Sequence, residues 1–138
     1  MYSRTVLDHF ANPRNVGVIE RADGHARVES PVHGDLIDLY IRVEKGKIAK
    51  VRYRVHGCVA AIASSSMTSQ LATGLPLDGA ARLTAEQVAA ALGGLPENKM
   101  RCSVLAPRAL HQAVEDYLRK SPADAGQVRM SRRREGRK

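Results

Sequence analysis

The chain has two cysteines, Cys58 and Cys102, its strongest nucleophiles and softest metal ligands. Cys58 follows Gly57, directly ahead of a run rich in Ala and Ser. Cys102 precedes Ser103, which reads as the residue that opens the last helix. Both thiols are therefore expected at helix N-termini. There, unpaired N–H groups and the positive end of the helix dipole favour a thiolate. Thiols so placed can be nucleophiles, metal ligands or small buried apolar groups, and position alone leaves these readings open.

The segment Pro31-Val32-His33-Gly34-Asp35 adds two donors on a tight loop that enters a strand. Gly34 permits a sharp bend, so His33 and Asp35 can face one point. His33, Asp35, Cys58 and Cys102 then make four ligands. That set suits a tetrahedral Zn²⁺ site or one edge of a small iron–sulfur cluster. His33 lies 25 positions before Cys58, and Cys58 lies 44 before Cys102. No compact zinc motif has such gaps, so the fold must gather three distant loops. The other histidines carry weaker signals. His9 reads as a packing or capping residue, and His111 as a surface residue of the last helix. His25 and His56 fall on strands, and His56, two residues from Cys58, is only a candidate substitute ligand.

The elements that must hold these loops follow from periodicity and caps. Ser3 to Phe10 forms a short helix with Ser3 as N-cap, and Pro13 stops it. His25 to Ser30 is a first strand. Leu36 to Val43 alternates apolar Ile37, Leu39, Ile41 and Val43 with Asp38, Tyr40 and Arg42. Across the turn Glu44-Lys45-Gly46-Lys47, Ile48 to His56 sets Val51, Tyr53 and Val55 against Lys50, Arg52 and Arg54. The short turn dictates antiparallel pairing, with one core face and one basic face. Cys58 to Thr73 is a helix ended by Gly74. Its small residues Ala60 to Ser66 form a face packed closely on the sheet. Leu83 to Gly94 holds another helix, in which Thr84 and Gln87 make a capping box. The last helix has Pro107 in its first turn and a stripe of Ala106, Leu110, Ala113, Val114, Tyr117 and Leu118. Strands precede most helices, which predicts an α+β fold: a small antiparallel three-stranded sheet with helices packed on one face.

Composition agrees. The chain has 138 residues and 43% hydrophobic content, with no Trp and one Phe, as expected for one domain with an aliphatic core. No apolar run reaches the roughly 20 residues a membrane span needs. The N-terminus lacks the pattern of a secretory signal, so a cytoplasmic location is expected. Two cysteines cannot build a disulfide framework. Half of the net charge of +8 lies in residues 121–138, where six basic residues face two acidic ones. Residues 1–120 thus read as the folded domain and 121–138 as a basic, disordered tail. The tail solubilises the chain or weakly contacts an acidic protein or nucleic acid. It has no aromatic residue, so stacking on bases has no support.

Several blocks resemble the IscU/NifU N-terminal-type iron–sulfur cluster assembly scaffolds. They are Tyr2-Ser3-Arg4-Thr5-Val6-Leu7-Asp8-His9-Phe10 with Asn12-Pro13-Arg14-Asn15-Val16-Gly17, then Gly57-Cys58 with Ala60 to Met67. Ala91-Leu92-Gly93-Gly94-Leu95-Pro96 with Lys99-Met100 and Cys102-Ser103 completes them. The blocks run in family order to about Leu118, without the insertion of the SufU-like branch. The resemblance implies an IscU/SufE-like fold and a carrier rather than an enzyme. Such a scaffold takes sulfur from a cysteine desulfurase and iron from an iron donor. It holds a labile [2Fe–2S] cluster and hands it to recipient apoproteins. Residue by residue, it makes Asp35, Cys58 and Cys102 cluster ligands, with Cys102 the persulfide acceptor and Asp35 a weak, exchangeable ligand.

The chain departs from the pattern at the first family cysteine, here His33, and at the histidine of a His-Cys pair, here Arg101. Val59 also replaces a usual Gly. Histidine ligation raises a cluster's potential, and a permanently protonated guanidinium cannot ligate. Arg101 instead lowers the Cys102 pKa, pairs with Asp35, or is simply solvated. The stretch that the family presents to a specialised Hsp70 chaperone reads Leu95-Pro96-Glu97-Asn98-Lys99. It has lost its central apolar pair, so chaperone binding is not implied. Lys99 lies beside the cysteines or on the open surface. Three rival readings remain: a paralogue holding one Zn²⁺ with His33, Asp35, Cys58 and Cys102; a Cys–His hydrolase or transferase with Cys58 or Cys102 as nucleophile, for which no oxyanion-hole motif is present; and an interaction module.

Overall fold

The computed structural model describes residues 2–30 and 34–121. His33 and the basic tail from Pro122 onward lie outside the described residues. Helix α1 spans Arg4–Ala11, and the Ser3 hydroxyl accepts the Val6 N–H as expected of an N-cap. The same hydroxyl donates to the Leu92 carbonyl, tying the start of α1 to a distant helix end.

Three strands follow: β1 (Gly24–Ser30), β2 (Asp35–Glu44) and β3 (Lys47–His56). They form an antiparallel sheet in the order β1-β2-β3. Alternation sets the faces. Ala26, Val28, Ile37, Leu39, Ile41, Ile48, Val51 and Tyr53 point into the core, while Arg27, Lys50 and Arg54 remain exposed. Val43 and Val55 are only partly buried. At the outer edge of β3, the Gly17 N–H donates to the Tyr53 carbonyl at 2.9 Å, and Val16 bridges Tyr53 in parallel.

The helices pack on one face of this sheet, as expected. Helix α2 (Val59–Ala72) is central, and Ala60, Ala61 and every residue from Ala63 to Ser69 are buried. The small-residue run therefore does more than press one face on the sheet. It lets α1, the sheet and the last helix approach α2 from several sides. Helix α5 (Leu105–Lys120) covers β1 and β2 with Ala106, Ala109, Leu110, Ala113 and Val114. Its approach is so close that a Cβ at Gly24 would lie 2.2 Å from the Ala113 carbonyl oxygen.

Two sequence expectations change around α4 (Ala85–Ala91), which lies within Leu83–Gly94 and is opened by the Thr84–Gln87 capping box as expected. A five-residue helix α3 (Leu77–Ala81) precedes it, pinned to the hairpin turn by Leu77 N–H to the Gly46 carbonyl at 3.0 Å. Ser103 does not open α5. Glu97–Ser103 forms a 3-10 segment, Val104 is the cap residue of α5, and the Ser103 hydroxyl turns back to the Met100 carbonyl. Pro96 starts this segment, with an i→i+3 bond from Lys99 N–H at 2.8 Å. Among the described residues, no helix is long and apolar enough to cross a membrane.

A buried polar clamp joins α1 to α2. His9 is 4% exposed, and its Nδ1 lies 2.8 Å from Ser66 Oγ. The Arg14 N–H donates to the same oxygen at 2.9 Å. Burial, aided by the nearby Arg14 charge, holds His9 below its ordinary value of 6.5, while Asp8 opposes the shift. The unfolded chain thus binds the proton more readily. Stability from this site is complete above the ordinary value and declines as pH falls through it. Between about pH 7.5 and about pH 5.5, the Tm of the wild-type chain is expected to fall further than that of His9→Gln. Parallel Tm profiles in calorimetry would contradict this.

Candidate metal centre

The sheet register brings the first two donors together. His56, at the end of β3, pairs with Leu36, one residue after Asp35 at the start of β2. The chain then leaves β3 through Gly57, beside Asp35, and enters α2 at Cys58. Asp35 shares the inward face with Ile37 and Leu39, so its carboxylate points toward the helices and is only 8% exposed. Gly34, at φ +71°, donates its N–H to the Ser30 carbonyl at 2.7 Å and sets the entry to this strand.

Gly57 allows the close fit. A Cβ there would sit 3.0 Å from Asp35 Oδ1, 3.1 Å from its Cγ and 2.9 Å from the Ala61 Cβ. Any larger residue would push on the carboxylate and on the Ala61 methyl, and one of them must shift. The sequence marks this residue only as a small one between a strand and a helix.

Cys58 is the cap residue of α2 but makes no side-chain capping bond. Its thiol faces the other cysteine instead and donates to Cys102 Sγ at 3.5 Å. Cys102 arrives from the 3-10 segment, which packs against α2 and α4. One ligand atom each from Asp35, Cys58 and Cys102 lies within 4.8 Å of the other two, and both cysteines are half-buried. Two sulfurs at the usual Zn–S length of about 2.3 Å in a tetrahedron stand about 3.8 Å apart. The observed 3.5 Å fits two thiolates on one ion without a large shift.

The electrostatics correct one expectation. Cys102 does not have the depressed pKa of a thiol at a helix N-terminus. Burial pushes it up to about 11, with further increases from the Cys58 hydrogen bond, the Cys58 charge and the Asp35 charge. Lys99, half-buried on the same segment, is the cation that opposes this rise. Arg101 is exposed and forms no ion pair among the described residues, so it does not pair with Asp35. Concentrated negative charge beside sulfur is the setting that a bound cation relieves, and metal uptake must displace a proton from Cys102.

The other predicted donors separate clearly. His56 is exposed at the end of β3 and is absent from the ligand cluster. His25 stacks on Tyr40 and pairs with Asp38 at 3.2 Å, on the outer face of the sheet. His111 is not a free surface residue: its Nε2 lies 2.8 Å from the Leu83 carbonyl.

Comparison with known proteins follows this geometry. The family model described as the NifU-like N terminal domain matches residues 1–124. The chain is 51% identical over 121 residues to "Iron-sulfur cluster assembly scaffold protein IscU 1" of Archaeoglobus fulgidus, covering 88% of this chain and 79% of that protein. It is 42% identical to "Iron-sulfur cluster assembly scaffold protein IscU" of Azotobacter vinelandii, covering 86% of this chain and 95% of that protein. Its fold resembles the N-terminal NifU-like protein of Brucella abortus at a TM-score of 0.71 and 20% identity, covering 86% and 95% of the two chains.

Gly57→Ala tests the packing of the centre. The added methyl is expected to displace the Asp35 carboxylate and weaken Co²⁺ binding about tenfold, as loss of a supporting residue commonly does. Competitive titration of the Co²⁺ absorption bands reads the affinity. An unchanged affinity would show that Asp35 is not held by this contact.

Proposed function

Because this chain belongs to the family of the NifU-like N terminal domain, we propose that it is an iron–sulfur cluster assembly scaffold. The observation that carries this reading is the convergence within 4.8 Å of Asp35, Cys58 and Cys102, the three residues that the resemblance makes cluster ligands. Iron and sulfur are cargo in this role and not resident cofactors. The chain carries and positions them and does not turn over a substrate as an enzyme does.

In this reading, a cysteine desulfurase delivers sulfur to Cys102 as a persulfide, and an iron donor supplies iron. Asp35, Cys58, Cys102 and His33 hold a transient [2Fe–2S] cluster. The carboxylate of Asp35 is the hardest donor and the weakest partner for iron–sulfur chemistry, which keeps the cluster exchangeable. A neutral imidazole at His33 removes one negative charge relative to a thiolate and raises the potential. Recipient apoproteins then take the cluster. Docking of a specialised Hsp70 chaperone has less support, because Glu97 and Asn98 expose polar side chains between Pro96 and Lys99. A cytoplasmic location is consistent with this role.

A second reading rests on the same distances. Two sulfurs 3.5 Å apart beside a carboxylate suit one Zn²⁺ as well as iron. That chain would be a degenerate scaffold with a structural or interaction role.

Anaerobic reconstitution separates the two readings. With ferrous iron, a cysteine desulfurase and cysteine, the scaffold is expected to develop the visible absorption of a [2Fe–2S] cluster and pass it to an apo-ferredoxin. Tightly bound zinc with no cluster after prolonged incubation would replace the first reading with the second. His33→Cys is expected to give a longer-lived cluster with a potential lower by about 100 mV or more. An unchanged spectrum and potential would remove His33 from the ligand set.

A further inference from the structure

Cys58 and Cys102 are the only cysteines in the chain, and their sulfurs lie 3.5 Å apart. Neither takes part in a disulfide, and both are half-buried, within reach of a small reagent. A disulfide needs the sulfurs at about 2.05 Å, so the pair must close by only about 1.5 Å. The two thiols sit on separate elements, Cys58 at the start of α2 and Cys102 at the end of the 3-10 segment. Neither element is a strand of the sheet.

We propose that this pair is a two-electron dithiol that reduces sulfane sulfur to sulfide at the site, with Cys58 as the resolving thiol. The inference rests on the reading of Cys102 as the sulfur acceptor. In the first step a small persulfide, R–S–SH, gives its outer sulfur to the Cys102 thiol, releasing R–SH and leaving Cys102–S–SH. In the second, the Cys58 thiolate attacks Cys102 Sγ. The Cys58–Cys102 bond forms, the bond to the outer sulfur breaks, and that sulfur leaves as HS⁻. It takes up the proton that Cys58 gave up and leaves as H₂S. The net reaction is R–S–SH plus two thiols to R–SH, H₂S and one disulfide. The transferred sulfur gains two electrons, and each protein sulfur loses one.

The position of the pair gives the step a use. Sulfide appears beside the Asp35 carboxylate, where the metal donors converge. The two thiols are also the metal ligands, so a bound ion blocks the reaction and the resulting disulfide blocks the ion. A dithiol reductant must reopen the site before the next cycle.

The test uses the full chain, reduced, stripped of metal by a chelator and desalted without oxygen. Glutathione persulfide is the probe, with sulfide release and intact-protein mass as readouts. The wild-type chain is expected to release one equivalent of sulfide beyond the donor's background and to lose two hydrogens. Peptide mapping is expected to place the disulfide between Cys58 and Cys102. Cys58→Ser is expected to retain one extra sulfur atom on Cys102 and to release about tenfold less sulfide. If the wild-type chain keeps that extra sulfur and releases no more sulfide than Cys58→Ser, the resolving step is wrong while the acceptor reading stands. If neither protein gains sulfur on Cys102, the acceptor reading fails and the inference with it. Diamide oxidation of the wild-type chain checks the geometry without a sulfur donor. Absence of an intrachain disulfide there would also overturn the proposal.

Discussion

The centre depends on a missing side chain. Asp35 opens β2 and Cys58 follows β3, and a Cβ at Gly57 between them would press on both the Asp35 carboxylate and the Ala61 methyl. The sheet register, the turn into α2 and the inward tilt of Asp35 fit together without a shift because that atom is absent. Cys102 then completes the group from the other side, carried by a segment that packs against α2.

The helical layer is arranged around the same demand for close approach. Helix α2 has almost no large side chains in its first half, and its Ser and Ala residues are buried on several sides. Small residues allow α1 to sit near enough for His9 and the Arg14 backbone to share one serine oxygen. They also leave Ser64 Oγ and Thr68 Oγ1 buried without hydrogen-bond partners among the described residues. Tight packing around α2 outweighs the cost of those two groups.

Much of the frame was legible in the residues. The β2–β3 hairpin announced itself by apolar–polar alternation and a short Gly-containing turn, although the register shift at Arg42 and Val43 left no such mark. Ser3 and the Thr84–Gln87 pair marked real caps because a side-chain oxygen at those positions serves an unpaired N–H. Helix α3 was hidden: five residues including Gly79 carry no periodic signal, and the element owes its place to bonds with the hairpin turn. The Cys102 environment was hidden for a related reason. Ser103 reads as the residue that opens the last helix, yet the stretch Glu97–Ser103 winds as a 3-10 turn and half-buries the Cys102 thiol. Local dipole reasoning then gave the wrong sign for its acidity, because desolvation outweighed it. Convergence of Asp35, Cys58 and Cys102 could be expected from the sequence, but their spacing contained no measure of it.

The short stretch at Val16 and Gly17 has a further consequence. A rim strand with bare amide and carbonyl groups invites stacking with another molecule and, eventually, fibre growth. Here Gly17 occupies the Tyr53 carbonyl on that rim, and Lys50 and Arg54 project charge beside it. The border strand is therefore a poor template for self-association, even at the high concentrations that promote precipitation of small sheet proteins.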